Sequence, residues 1–124
     1  MHKVLIVDDD RALTLALKVR LKAMGFDVQA CGTADDASQC VLRWRPDVII
    51  LDIELPSYTG LEFHECLRYS AVARDIPVVY LSGHDSDSHR RIAHQQGARA
   101  FVVKPYDPDD LGRTLYSVMG VWAA

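Results

Sequence analysis

Apolar and polar positions along this chain keep two alternating rhythms. Short β-rich apolar runs at Lys3 to Val7, Asp27 to Cys31, Val48 to Leu51, Val78 to Leu81 and Ala100 to Val103 read as strands. Between and after them, apolar residues recur at helical spacing. The stripe Leu13, Leu17, Leu21, Met24 predicts a first helix facing the sheet, with Gly25 as its C-terminal cap. Thr33 followed by Asp36 resembles a capping box and predicts a second helix over about 34 to 45, with Ala37, Val41 and Trp44 inward and Pro46 ending it. A third helix after Gly60 carries Leu61, Phe63, Cys66 and Leu67. The fourth, capped by Ser86 and running over about 87 to 96, has Ile92 as its one strong apolar residue, with Ala93 beside it, and is expected to be the loosest element. Asp107 as N-cap, Pro108 at the first position, and Leu111, Leu115, Val118 and Met119 define the fifth.

Strands alternating with helices predict an α/β fold: a five-stranded parallel sheet in the order 2-1-3-4-5 with five helices on both faces, flavodoxin-like and doubly wound. The second strand alternates weakly and belongs at or near an edge. Val48 to Leu51 is apolar at every position, as a strand covered on both faces must be, and Pro56 and Gly60 then force a loop. Asp52 therefore stands at the carboxyl edge, where open α/β sheets bind ligands.

The same edge should collect Asp8 and Asp9 after the first strand, Ser82 after the fourth and Lys104 after the fifth. Carboxylates a few Å apart repel by about 1 to 4 kcal/mol per pair at high effective dielectric, so such a cluster needs a cation or a raised pKa. Lys104 supplies one positive charge. Mg2+ suits the rest, because it prefers oxygen ligands and commonly bridges carboxylates to a phosphoryl oxygen. A carboxylate so placed can attack phosphorus, provided the charge on the transferring oxygens is neutralised.

These motifs together, Val-Asp-Asp-Asp after the first strand, Leu-Asp-x-x-Leu-Pro-x-x-x-Gly at the third, Ser-Gly after the fourth and Lys-Pro-Tyr after the fifth, resemble the receiver domain of two-component response regulators. The resemblance covers residues 1–124 as one receiver domain. It implies that Asp52 is the phosphoacceptor and that Mg2+ is held by Asp8, Asp9, Asp52 and the backbone carbonyl at Glu54. Lys104 would be the phosphate partner and Pro105 the proline joined to it by a cis bond. Ser82 would be the switch hydroxyl and Phe101 the aromatic rotamer switch. In that family the positions of Glu54 and His84 flank the phosphoryl group, so the resemblance implies that these two residues tune how fast water removes it. The implied donor is a sensor histidine kinase or histidine phosphotransfer protein. The signal would leave through the face of the fourth helix, fifth strand and fifth helix toward a downstream target or output domain.

Composition narrows the picture. At 124 residues with 49% hydrophobic content the chain supports one core, and a formal net charge of −3 gives no support for direct binding to nucleic acid or an anionic membrane. No apolar run approaches the roughly 18 residues of a membrane span and no signal segment is seen, so a cytoplasmic protein is expected. Cys31, Cys40 and Cys66 lack Cys-x-x-Cys spacing and read as buried or idle thiols. His2, His64, His89 and His94 lack metal-ligand spacing and are expected on the surface. Tyr116 and Trp122 are expected to pack on the domain body, the alternative being a partner face used in a phosphorylation-dependent homodimer.

Two other functions compete. Haloacid dehalogenase-like phosphatases also pair an aspartate nucleophile with Mg2+, but their nucleophile strand usually reads Asp-x-Asp early in the chain, and no cap domain fits here. A receiver-like interaction module that takes no phosphate is the other alternative, yet every residue needed for phosphoryl acceptance is present.

Overall fold

Alternate residues of a strand face opposite sides of a sheet, so strands apolar at every position need helices on both. The computed structural model, which describes residues 1–56, 58–83 and 86–120, has that arrangement. In chain order the elements are β1 (Lys3–Val7), α1 (Arg11–Ala23), β2 (Asp27–Cys31), α2 (Ala34–Trp44), β3 (Val48–Leu51), β4 (Glu54–Leu55), β5 (Tyr58–Thr59), α3 (Gly60–Arg68), β6 (Val78–Ser82), α4 (Asp87–Gln95), β7 (Ala100–Val103) and α5 (Pro108–Met119). The main sheet is parallel and ordered β2-β1-β3-β6-β7, the predicted flavodoxin-like topology with β2 at an edge.

The two faces divide the core cleanly. Leu5, Val7, Ile49, Leu51, Val78 and Tyr80 pack under α2, α3 and α4, against Ala37, Val41, Phe63, Leu67 and Ala93. Their neighbours Val4, Ile6, Val48, Ile50, Val79 and Leu81 pack under α1 and α5, against Leu17, Leu21, Leu111 and Leu115. Each such leucine, fully buried, stabilises the fold by about 1.5–3 kcal/mol relative to exposure.

Local chemistry sets the helix ends. Asp10 caps α1 by accepting from the Leu13 N–H, Thr33 caps α2 through the Asp36 N–H, and Asp107 caps α5 with Pro108 following. A reciprocal capping box joins Thr59 and Glu62 at the start of α3. Two helix ends differ in detail from expectation. Helix α2 stops at Trp44 because Arg45 adopts the left-handed conformation (φ 53°) before Pro46, and α1 is capped by Met24, with Gly25 just beyond at φ 97°.

Three details go beyond the sequence reading. Between Asp52 and α3 the predicted loop holds a two-stranded antiparallel ribbon, β4 with β5, in which Glu54 pairs with Thr59 and buried Leu55 with Tyr58. On α4, Ala93 is the buried residue and Ile92 is exposed, because the two lie about 100° apart on the helix. Cys66 is exposed and not part of the buried face of α3. Tyr116 packs on the body of the domain, its ring 4.8 Å from that of Phe26 and its hydroxyl donating to the Met24 carbonyl at 3.1 Å. Trp122 lies outside the described residues. No described helix is long and apolar enough to cross a membrane.

Candidate functional site

Strand register brings the acidic residues together. Val7 lies opposite Leu51, so the next residues, Asp8 and Asp52, leave the sheet side by side. The Asp52 N–H donates to the Val7 carbonyl at 2.9 Å, and the Asp8 N–H to the Cys31 carbonyl at 3.0 Å, which extends both ladders to the rim. On the other side Ser82 pairs with Val103, and the Lys104 N–H donates to the Ser82 carbonyl at 2.9 Å. Four strand ends thus converge on one pocket. The Lys104–Pro105 bond is cis.

Gly60 sets how closely α3 approaches this pocket. A Cβ there would lie 1.9 Å from the Asp52 carbonyl oxygen, so only glycine lets the helix start against the backbone that carries Asp52. Its N–H donates to the Ile53 carbonyl.

Within the pocket, Asp8 is buried and fully engaged. Its Oδ1 accepts from the Asp10 N–H at 2.9 Å and its Oδ2 from Lys104 Nζ at 2.8 Å. Lys104 Nζ also lies 3.6 Å from Asp52 Oδ2. Burial works against the Lys104 ammonium, but the hydrogen bond to Asp8 and the charges of Asp52 and Asp8 outweigh it and raise its pKa above the ordinary lysine value. The Asp52 carboxyl is pushed above the usual carboxylate range, first by burial and then by the Asp8 charge. Lys104, a hydrogen bond with the Ser82 side chain and one with the Ile53 backbone pull the other way.

One atom stands out. Asp52 Oδ1 is buried and has no hydrogen-bond partner among the described residues, in a group whose other contacts are already polar. Leaving a buried acceptor unsatisfied costs about 1–3 kcal/mol, which a cation bound at this oxygen would offset. Carboxylate oxygens of Asp8, Asp9 and Asp52 lie within 4.8 Å of one another, with Asp9 exposed. Three hard oxygen donors around an orphaned carboxylate oxygen, with one ammonium among them, fit Mg2+ in chemistry and spacing.

The remaining predicted residues are placed as follows. Ser82 is fully buried at the end of β6. Glu54 is exposed at the start of β4. Phe101 is half-buried in β7, its ring stacked on Tyr80. His84 lies outside the described residues.

One buried residue away from this rim escaped the sequence reading. His64, expected on the surface, is buried, with Nδ1 2.9 Å from the hydroxyl of fully buried Tyr80. The signal was present: Gly60, Phe63, His64 and Leu67 form one stripe at helical spacing, and all four are buried. Burial, then the Arg68 charge, pushes the imidazole down to about 4.

Known proteins share this arrangement. Residues 4–116 match the family described as the response regulator receiver domain. The chain is similar to response regulator MprA of Mycobacterium leprae, 33% identical over 109 residues, or 88% of this chain and 47% of that protein. It is also similar to the phosphate regulon transcriptional regulatory protein PhoB of Rhizobium meliloti, 32% identical over 90% of this chain and 49% of that protein. The solved structure of chemotaxis protein CheY4 of Vibrio cholerae superposes with a TM-score of 0.89 at 30% identity, covering 95% of this chain and 98% of that one. The chain spans about half the length of the curated relatives it matches. It belongs to the response regulator receiver domain family. Members of this class are regulatory phosphoacceptor modules and not stand-alone enzymes, and the Asp8, Asp9 and Asp52 cluster with Lys104 matches their phosphoacceptor and Mg2+ site.

Proposed function

We propose that residues 1–124 act in the cytoplasm as one receiver domain, which takes a phosphoryl group onto Asp52 from the phosphohistidine of a sensor histidine kinase or histidine phosphotransfer protein. The observation that carries this reading is the buried Oδ1 of Asp52, without a hydrogen-bond partner among the described residues, beside Asp8 and Lys104.

Asp8, Asp9 and Asp52, with the backbone carbonyl of Glu54, would hold the Mg2+. When bound, the cation offsets the clustered carboxylate charge and polarises a phosphoryl oxygen. Asp52 supplies the attacking oxygen: an O–P bond forms as the P–N bond of phosphohistidine breaks, and its electron pair returns to the departing imidazole. Lys104, fixed by Asp8, faces the negative charge on the transferring oxygens. Ser82 then donates its hydroxyl to the new phosphoryl group, which draws the β6–α4 loop inward and makes room for Phe101 to turn. The α4–β7–α5 face changes with it and meets a downstream protein target or output domain, or a second copy of this chain. By the family resemblance, Glu54 and His84 would set how fast water removes the phosphoryl group. The net charge of −3 supports a receiver domain that does not itself bind nucleic acid.

Acetyl phosphate with Mg2+ tests this reading by intact mass. The expected result is one phosphoryl group per chain, absent in Asp52→Asn and absent when the metal is chelated. Turnover of several phosphate esters with no retained adduct would mark a phosphatase instead. Neither adduct nor turnover would mark an inert interaction module.

A further inference from the structure

Phe101 is held from two sides by residues that no part of the phosphoryl chemistry requires. Its ring stacks on Tyr80, with centroids 5.7 Å apart and planes inclined by 24°. The Arg90 guanidinium of α4 lies 4.8 Å from the Phe101 ring centroid, within range of a cation–π interaction. Tyr80 is itself immobilised: it is fully buried in β6, and its hydroxyl bonds the buried imidazole of His64 on α3. The series His64, Tyr80, Phe101, Arg90 therefore runs without a gap from α3 across two neighbouring strands to α4.

We propose that Tyr80 and Arg90 are positioning residues that clasp Phe101 in its present place, with His64 anchoring the clasp. The proposal rests on the reading of Phe101 as the aromatic switch. Helix α4 buries only Ala93 among its residues, and the Arg90–Phe101 contact is one of the ties between this helix and the sheet. Movement of α4 then withdraws the guanidinium from the ring. Release of the ring and displacement of the helix become one event, and a looser clasp biases the domain toward the arrangement that phosphorylation favours.

The test uses the whole chain, with beryllofluoride and Mg2+ as the phosphoryl mimic. Arg90→Leu keeps the hydrocarbon bulk and removes the charge, and should bind beryllofluoride about fivefold more tightly than wild type. Arg90→Lys, which keeps a cation, should fall between the two. Tyr80→Phe retains the ring but frees it from His64, and should tighten binding about twofold, with circular dichroism confirming the fold. Ring resonances of phenylalanine-labelled protein give a readout that needs no ligand. In unliganded Arg90→Leu, the Phe101 signals should move toward those of beryllofluoride-saturated wild type. Unchanged Phe101 signals in that variant would overturn the clasp, as would unchanged or weaker beryllofluoride affinity. Failure of wild type to bind beryllofluoride would instead overturn the phosphoacceptor reading, and Phe101 signals in unliganded Arg90→Leu that coincide with those of unliganded wild type would still overturn the clasp.

Discussion

Two polar clusters lie buried in this domain, one at each end of a short path along α3, and they are resolved in opposite ways. Where α3 begins, Asp52 keeps an oxygen without a partner among the described residues, beside Asp8 and a lysine that both carboxylates share. One turn further along, His64 and Tyr80 answer each other with a single hydrogen bond, and the imidazole stays neutral near pH 7. The closed pair serves position and packing. The open cluster, unsatisfied on its own, is where a cation and a phosphoryl group have room to act.

Gly60→Ala should have the largest effect, because it drives a Cβ into the Asp52 carbonyl, a backbone atom with little freedom to move. We expect a loss of about 3 kcal/mol in denaturant unfolding together with loss of labelling by acetyl phosphate. Lys104→Ala should strike the open cluster alone, slowing labelling on the order of 100-fold, equivalent to about 2.7 kcal/mol of transition-state stabilisation.

The closed pair should announce itself through pH. Burial lowers the His64 pKa from 6.5 to about 4, so the unfolded chain binds the extra proton first as pH falls. The stability contributed by neutral His64 is fully present above about pH 6.5 and is lost progressively toward pH 4. After allowance for partial solvent screening, this amounts to about 2 kcal/mol. His64→Gln, which offers Tyr80 an amide that does not titrate, should flatten that part of the curve. A slope equal to that of wild type would mean that His64 is not held neutral by its surroundings. Thr59→Ala removes one half of the capping box that starts α3 and should cost about 1 kcal/mol.

Most of the architecture was legible because its signals are local and repeat. Apolar runs at β1, β3 and β6, the stripe Leu17–Leu21 on α1 and the caps Asp107–Pro108 each state their own element, and five strands separated by helices leave few topologies. The site was legible for another reason: carboxylates, a serine and a lysine at the ends of apolar strands must share one rim once the sheet is parallel. His64 was misplaced because a single ionisable residue on an apolar stripe was weighed by its chemistry and not by its phase. The link from Tyr80 through Phe101 to Arg90 depends on which side chains meet across strands and helices far apart in sequence, and periodicity carries no such information. The ribbon Glu54–Leu55 with Tyr58–Thr59 has only two residues on each side, too short for alternation to register.

The most direct measurement is a crystal structure of the chain with Mg2+ and beryllofluoride. The account predicts beryllofluoride density joined to Asp52, with the metal contacting Asp8 or Asp9 as well as Asp52. Density on another residue, or a metal bound away from these carboxylates, would contradict it.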